Sequence, residues 1–486
     1  MKHLALLSIV ALSGCAVGPD FHTPAAPETP TYTRDAAPHA TAAADGAGGS
    51  AQTFTAAGHA TPMWWTQFRS DALDRLVDEA LRQSPTLAQA RAKLIEARET
   101  YNAQAGATRF PSVDAAISGS RQRVDPAAFG VPDVPNPGPF SLFNASVSVS
   151  YTFDIFGGNR RALEAAMAQV DYEGFQFDAA RLSIAGNVVS GAVRRASLQE
   201  QIALTGRLAD AQAQQLSIME ARHAAGGVSE LDVRSQRTLF AQTRASLPPL
   251  ATQLAQADHQ LAILLGRAPS QANFDELTLA SLHLPEHIPL TLPSTLARER
   301  PDIRASEALL HQASANVGVA TANLYPQFSL SAGIGSQRTS IQDVVNGLNI
   351  WNIGLNLTQP LFHGGELRAR KRSTEAAYDA ALAGYQQTVL QSLQQVADTL
   401  TALQNDAREL HARDDAAQQA QASFEIARAQ YAAGGVSQFG LLDAQRQVLQ
   451  TALDRTRAHA DRLTDTAALF QALGGGLEAA SLAGRP

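Results

Sequence analysis

"FNASVSVSYTFDIFGGNRRALEAA", Phe143 to Ala166, changes its period in mid-stretch. Every odd position from Phe143 to Ile155 carries Phe, Ala, Val, Val, Tyr, Phe or Ile, while the even positions from Asn144 to Asp154 are polar. Such alternation predicts a strand with one apolar and one polar face. After Gly157-Gly158 the alternation stops, and a proline-free run from Arg160 to Ala224 reads as helix, about 98 Å long at 1.5 Å per residue. A second proline-free run, Glu366 to Ala433, follows "PLFHGGELR" and corresponds to about 102 Å.

Weaker alternation occurs at Val113 to Gly119, Phe328 to Ile334 and Trp351 to Leu357, with aromatic residues gathered near the strand ends. A ten-residue strand tilted about 45° rises roughly 24 Å, the height of the apolar band of an outer-membrane barrel. No stretch of the body approaches 18 consecutive apolar residues, so any membrane crossing falls to strands. Four strands cannot close a barrel, for which about eight is the practical minimum. The barrel is therefore expected to be shared between chains. The loop of the first hairpin, "VDPAAFGVPDVPNPGPF", is too rich in proline for strand or helix.

The chain is internally duplicated. "AAGGVS" occurs at Ala224 to Ser229 and again at Ala432 to Ser437. In each copy a glycine can take the left-handed conformation that ends a helix, and the serine can cap the next one. The returning helices, Glu230 to Leu265 and Gln438 to Leu473, are about half as long as their partners. A short helix in each repeat, Asp71 to Thr108 and about Ser294 to Leu324, makes up the difference. Pro248-Pro249 should kink or break the first returning helix. The expected fold is α+β: residues 62–270 form a first repeat with a hairpin at 110–156, residues 271–293 a connector, and residues 294–475 a second repeat with a hairpin at 325–362, leaving 476–486 as a tail.

Charged residues make up 17% of the 486, aromatics 6%, and the formal net charge is −7. No basic stripe is present, which argues against a nucleic-acid partner. The single cysteine, Cys15, excludes an intramolecular disulfide. Its setting is informative: Met1-Lys2-His3, an apolar run from Leu4 to Leu12, then small residues, the layout of a secretory signal over 1–14. "LSGC" resembles a bacterial lipobox, which predicts N-acyl and S-diacylglycerol groups on Cys15, and Ala16 in place of aspartate points to the outer membrane. Residues 15–61, rich in Ala, Pro, Thr and Gly, read as a lipidated flexible tether.

Competing chemistry finds little support. "HLPEH", His283 to His287, matches an inverted zinc-protease pattern, but Pro285 lies inside it and a helix is required. "HGG" at His363 has no accompanying GxSxG nucleophile elbow, so its expected place is a strand-to-helix junction. No metal, cofactor or catalytic residue is expected.

"LSGCAVGPDF", "WWTQFRSDALDRLVDEAL", "FDIFGGNRRALEAA", "RPDIRASEALLHQASANVGVA", "LTQPLFHGG" and "GLLDAQRQVL" together resemble the outer membrane factor family, the TolC-like exit ducts of tripartite efflux pumps, in its lipoprotein (NodT-type) branch. The resemblance covers nearly all of the chain after Cys15. It implies a homotrimer with a shared twelve-stranded barrel in the outer membrane and long antiparallel helices forming a periplasmic α-barrel. Its implied partners are a periplasmic adaptor and an inner-membrane RND-type transporter, and the duct itself does no chemistry. It makes Asp443 the gate acid and Phe439 the matching apolar constriction. It makes Asp232 and Tyr431 a closed-state tie, weakened because Val436 stands where some relatives carry arginine. The corners Gly226, Gly227, Val228, Ser229 and Gly434, Gly435, Val436, Ser437 become adaptor contacts. A trimeric coiled-coil lipoprotein with a structural or adhesive role is the alternative; it would have no membrane barrel.

Overall fold

A computed structural model of the chain describes residues 16–34, 39–56, 62–125, 130, 133, 135, 138–274 and 276–475. The signal segment 1–14, Cys15 and the tail 476–486 lie outside the described residues. In chain order the elements are β1 (Thr53–Ala56), α1 (Asp71–Gln83), α2 (Pro85–Arg109), β2 (Ser112–Gln122), β3 (Phe140–Phe153), α3 (Gly158–Ala224), α4 (Glu230–Ala245), α5 (Leu247–Leu264), β4 (His287–Leu290), α6 (Pro293–Glu299), α7 (Pro301–Ala322), β5 (Gln327–Arg338), β6 (Ile350–Thr358), α8 (Glu366–Ala432) and α9 (Gln438–Ala472).

Both long helices run unbroken for 67 residues. The short helix of each repeat, expected to be continuous, is instead split. Proline disfavours the α conformation in the residue before it. Ser84 (φ −59°, ψ 124°) and Arg300 (φ −70°, ψ 127°) are accordingly extended, and Pro85 and Pro301 open the helices that follow. Pro248 and Pro249 act as expected: α4 stops at Ala245, and the prolines sit in the first turn of α5, where no amide partner is lost.

The chain divides into two compact units. One comprises Ala16–Pro24 with Lys93–Glu173 and Ser306–Tyr385 and contains a sheet of order β2-β3-β5-β6, antiparallel throughout. Register aligns the apolar residues in rows: Val113, Val149, Ala332 and Ile353 lie side by side, as do Ala115, Val147, Ile334 and Trp351. Since side chains alternate between faces, the neighbouring rows are polar or small: Ser112, Ser150, Ser331 and Gly354, then Asp114, Ser148, Gly333 and Asn352. At the end of β3 the Asp154 carboxylate accepts from the amides of Asn159 (2.9 Å) and Arg160 (2.8 Å), capping α3. The same unit holds the N-terminal "AVGPDF" by the Val17 amide on the Phe156 carbonyl and by Arg161 on Asp20.

The second unit comprises the described parts of 25–92 and 386–475 with 174–305. Its core joins Trp64, Phe68, Leu73 and Val77 to Val188, Val189, Leu261, Leu463 and Phe470. Trp64, 1% exposed, stacks on Phe470 with ring centroids 5.4 Å apart. A strand pair not foreseen in the sequence sits beside this core: β1 runs parallel to β4, inside the expected connector.

That pair corrects, for the described residues 39–56, the reading of 15–61 as a flexible tether. Arg462, fully buried, donates to the carbonyls of Gly48 (2.7 Å) and Ser50 (2.8 Å) and to Thr41 Oγ1 (3.0 Å). Gln52, also fully buried, donates to the Pro285 carbonyl and Thr466 Oγ1, both at 3.0 Å. Residues low in apolar side chains are thus fixed through their backbone carbonyls, which composition does not record.

Candidate functional site

The two glycine corners are built alike. The amide of Gly227 donates to the Arg222 carbonyl and that of Gly226 to His223; Gly435 and Gly434 repeat the pattern on Gln430 and Tyr431. This is a Schellman ending, and it requires positive φ at Gly226 (76°) and Gly434 (78°). Both glycines are exposed with open space around them, while Val228 and Val436 tuck partly in. Leu231 and Phe439, the second residue of each returning helix, are 74% and 79% exposed.

The serine caps differ. Ser229 forms a capping box: its Oγ accepts from the Asp232 amide at 3.2 Å, and Asp232 Oδ2 takes the Ser229 amide (3.2 Å) and hydroxyl (2.7 Å). Ser437 makes a single 3.4 Å contact with the Gly440 amide, since glycine there offers no returning acceptor. The Asp232 carboxylate is thereby engaged locally, and the Tyr431 hydroxyl lies 3.6 Å from Met219 Sδ. Within one chain the structure does not bring Asp232 and Tyr431 together.

The opening turns of α9 have two faces. Leu441, Leu442, Gln438 and Gln445 are buried, whereas Phe439 and Asp443, four residues apart, share the exposed face. Asp443 Oδ1 accepts from Arg446 at 2.5 Å, a partner one turn on that the sequence reading overlooked although "DAQR" contains it. Beneath that face, Gln438 Nε2 donates to Gln236 Oε1 (3.2 Å) and Gln236 Nε2 to the Gln212 carbonyl (3.3 Å). This buried glutamine chain ties α9, α4 and α3. Nothing in the sequence separated these glutamines from the many exposed ones.

The motifs set aside as rival chemistry have backbone roles. The Pro285 carbonyl is held by Gln52, the His283 amide donates to the Phe68 carbonyl (2.9 Å), and His287 lies in β4 with Nδ1 2.8 Å from Thr53 Oγ1. The His363 carbonyl accepts from the Glu366 amide at 3.0 Å in the turn before α8. Among the described residues no group of three or more His, Cys, Asp or Glu side chains could hold a metal ion, and no helix is long and apolar enough to cross a membrane.

A family model described as outer membrane efflux protein matches residues 76–267 and 292–475, the two repeats in turn. The chain belongs to the outer membrane efflux protein family. A pyoverdine export outer membrane protein of Pseudomonas putida, OpmQ, is 32% identical over 86% of this chain and 89% of its own length. The solvent efflux pump outer membrane protein SrpC of Pseudomonas putida is 30% identical over 98% of both chains. Among solved structures, the outer-membrane channel OprN superposes with a TM-score of 0.83 at 27% identity, covering 95% of this chain and 100% of its own. The Neisseria gonorrhoeae MtrE channel, in its open state, shares the fold with a TM-score of 0.80 at 24% identity, covering 95% and 99%. This efflux protein is thus an exit channel of the outer membrane that extends into the periplasm, with the α+β channel fold of its relatives.

Proposed function

We propose that three copies of this efflux protein close their sheets edge to edge into one twelve-stranded barrel. The assembled duct passes small toxic compounds outward from a periplasmic adaptor and an inner-membrane RND-type transporter. The observation that carries the reading is the sheet itself. Its apolar rows continue across all strands, Trp351, Ile353, Leu355 and Leu357 on β6 are 60–77% exposed, and among the described residues β2 and β6 each have an unpaired edge. An exposed apolar edge strand is a template for pairing with another chain, and closure removes every edge. The polar rows of serine, asparagine and glycine then face the lumen.

In this reading the duct performs no chemistry, and selection belongs to the transporter. Relatives named for pyoverdine export and for solvent efflux support small cargoes of varied chemistry. The exposed corners at Gly226–Ser229 and Gly434–Ser437 receive the adaptor. Asp443 and Phe439 line the gate, with Arg446 partly neutralising the acid in its resting state. Lipid on Cys15 anchors each N-terminus.

Mass measurement of the purified protein together with planar-bilayer recording tests the proposal. The expected result is a trimer whose insertion gives discrete conductance steps. A monomer that never conducts would remove the shared barrel. Intact-mass analysis of the mature N-terminus tests the lipid separately; an unmodified cysteine would remove the anchor.

A further inference from the structure

The apolar face of the sheet carries two charged side chains among its described residues, both at the loop end. Register places Arg121 opposite Ser141 and Arg338 opposite Phe143, on the face that presents Val113, Val147, Ile334 and Trp351. We propose that Arg121 and Arg338 form a binding site for the phosphate groups of outer-leaflet lipid headgroups. The inference rests on the barrel reading above, because it needs this face to meet lipid and the loops to face outward.

Height supports the assignment. From the Phe153–Phe328 row to the Phe143–Arg338 row is ten steps along β3. At about 3.4 Å per residue and a tilt of about 45° they rise roughly 24 Å, the full apolar band. Arg338 therefore stands at the upper rim and Arg121 two steps beyond. A cation on a lipid-facing strand is most costly at the midplane and nearly free at the interface, where its stem lies on apolar surface and its head reaches polar groups.

Among the described residues, the surroundings leave both charges to an outside partner. Gly119, Ser141, Phe143 and Ser336 are their neighbours on this face, none of them acidic. Neither arginine forms an ion pair or a side-chain hydrogen bond among the described residues. Asp343 of the second loop accepts from Asn346 (3.0 Å), and Asp114 belongs to the opposite face. Each guanidinium can offer a phosphate two parallel N–H donors, the geometry in which arginine binds it best. At the other end the face closes on Phe153, Phe328 and Leu357, without a charge, so the feature distinguishes one leaflet from the other.

The test uses the full-length protein in detergent, incubated with diphosphoryl lipid A, with its dephosphorylated form, or with phosphatidylethanolamine, and read by native mass spectrometry. Wild type should retain the diphosphoryl lipid preferentially. R121Q/R338Q should lower that retention on the order of tenfold, and R121K/R338K less, since lysine keeps charge but not the paired donors. Equal retention of phosphorylated and dephosphorylated lipid, or a double variant that binds as wild type does, would overturn the site. Planar-bilayer conductance recorded on the same preparations separates the two readings. If wild type conducts while lipid retention ignores the arginines, only this site fails; if wild type never conducts, the barrel fails with it.

Discussion

Arg161, its side chain 7% exposed, donates to Asp20 Oδ1 at 2.6 Å and so joins residues 141 positions apart. The same guanidinium donates to Glu164 at 2.8 Å, Glu164 lies 2.8 Å from His311 Nε2, and Phe21 stacks on the His311 ring at 4.4 Å. Gly18 crosses Gly318 so closely that a Cβ at Gly18 would lie 2.5 Å from the Gly318 Cα, and its φ is +100°. The N-terminal "GPDF" is therefore clamped by side chains from α3 and α7.

Arg161→Met and Gly18→Ala are both expected to release this segment. Limited proteolysis within residues 16–24 should quicken on the order of tenfold in each, because local opening sets cleavage. Burial works to raise the Glu164 carboxyl's pKa, but hydrogen bonds from Arg161 and His311 reverse this and hold it below the ordinary value. The clamp's contribution from Glu164 is thus present above the ordinary carboxylate range and lost as pH falls below it. Cleavage unchanged in both variants would mean that backbone contacts alone hold the segment.

Two groups of the second unit, half-buried Asp406 and buried His459, should give opposite pH slopes. Burial, then the carboxylates of Asp465, Asp461 and Glu409, pushes Asp406 up to about 7. Its contribution is full at low pH and is lost as pH rises from about 4 to 7. Burial, then Arg455 and Arg462, pushes His459 down to about 4, so its contribution is full above the ordinary histidine value and is lost as pH falls toward 4. The His459 effect is at most about 3 kcal/mol over that window. Melting temperatures between pH 4.5 and 7 should therefore rise with pH more steeply in Asp406→Asn than in wild type, and less steeply in His459→Gln. Slopes that move together would contradict this opposition.

The two corners should respond unequally to loss of their caps. Ser229→Ala breaks a reciprocal box and should cost about 1–2 kcal/mol, whereas Ser437→Ala removes one long contact and should cost about 0.5 kcal/mol. Denaturant midpoints of the two variants provide the comparison. Asp232→Ala should follow Ser229→Ala in stability; if it also changes conductance where Ser229→Ala does not, Asp232 acts beyond its cap.

On the proposed trimeric gate, Asp443→Ala with Phe439→Ala should widen the resting aperture and reduce cation selectivity, because three copies would lose three carboxylates and three rings from its mouth. Arg446→Ala should increase cation selectivity by freeing the acid. Single-channel conductance and reversal potentials measure both, and wild-type values in all variants would remove Asp443 from the pore.

Some of this was legible because it is periodic. Alternation from Phe143 to Ile155 identified a strand and the apolar face it presents, and the repeated AAGGVS located two helix ends that the structure builds with the same hydrogen bonds. Proline positions also carried the breaks, though Ser84 and Arg300 show that the residue before a proline decides where a helix parts. The i,i+3 spacing of Asp443 and Arg446 was also open to reading in "DAQR", whereas the glutamine chain below them emerged only from packing.

By itself the sequence determined period, punctuation and duplication, because these depend on neighbours a few residues apart and on backbone sterics that hold anywhere. Only the tertiary structure decided what the N-terminal stretch does. Arg462 holds Gly48 and Arg161 holds Asp20 through polar contacts that join residues 414 and 141 positions apart, and such contacts leave no periodic trace in the chain. Register across the sheet is of the same kind: each strand's alternation was visible alone, but the rows that put Arg121 and Arg338 on one face arise from pairing between strands.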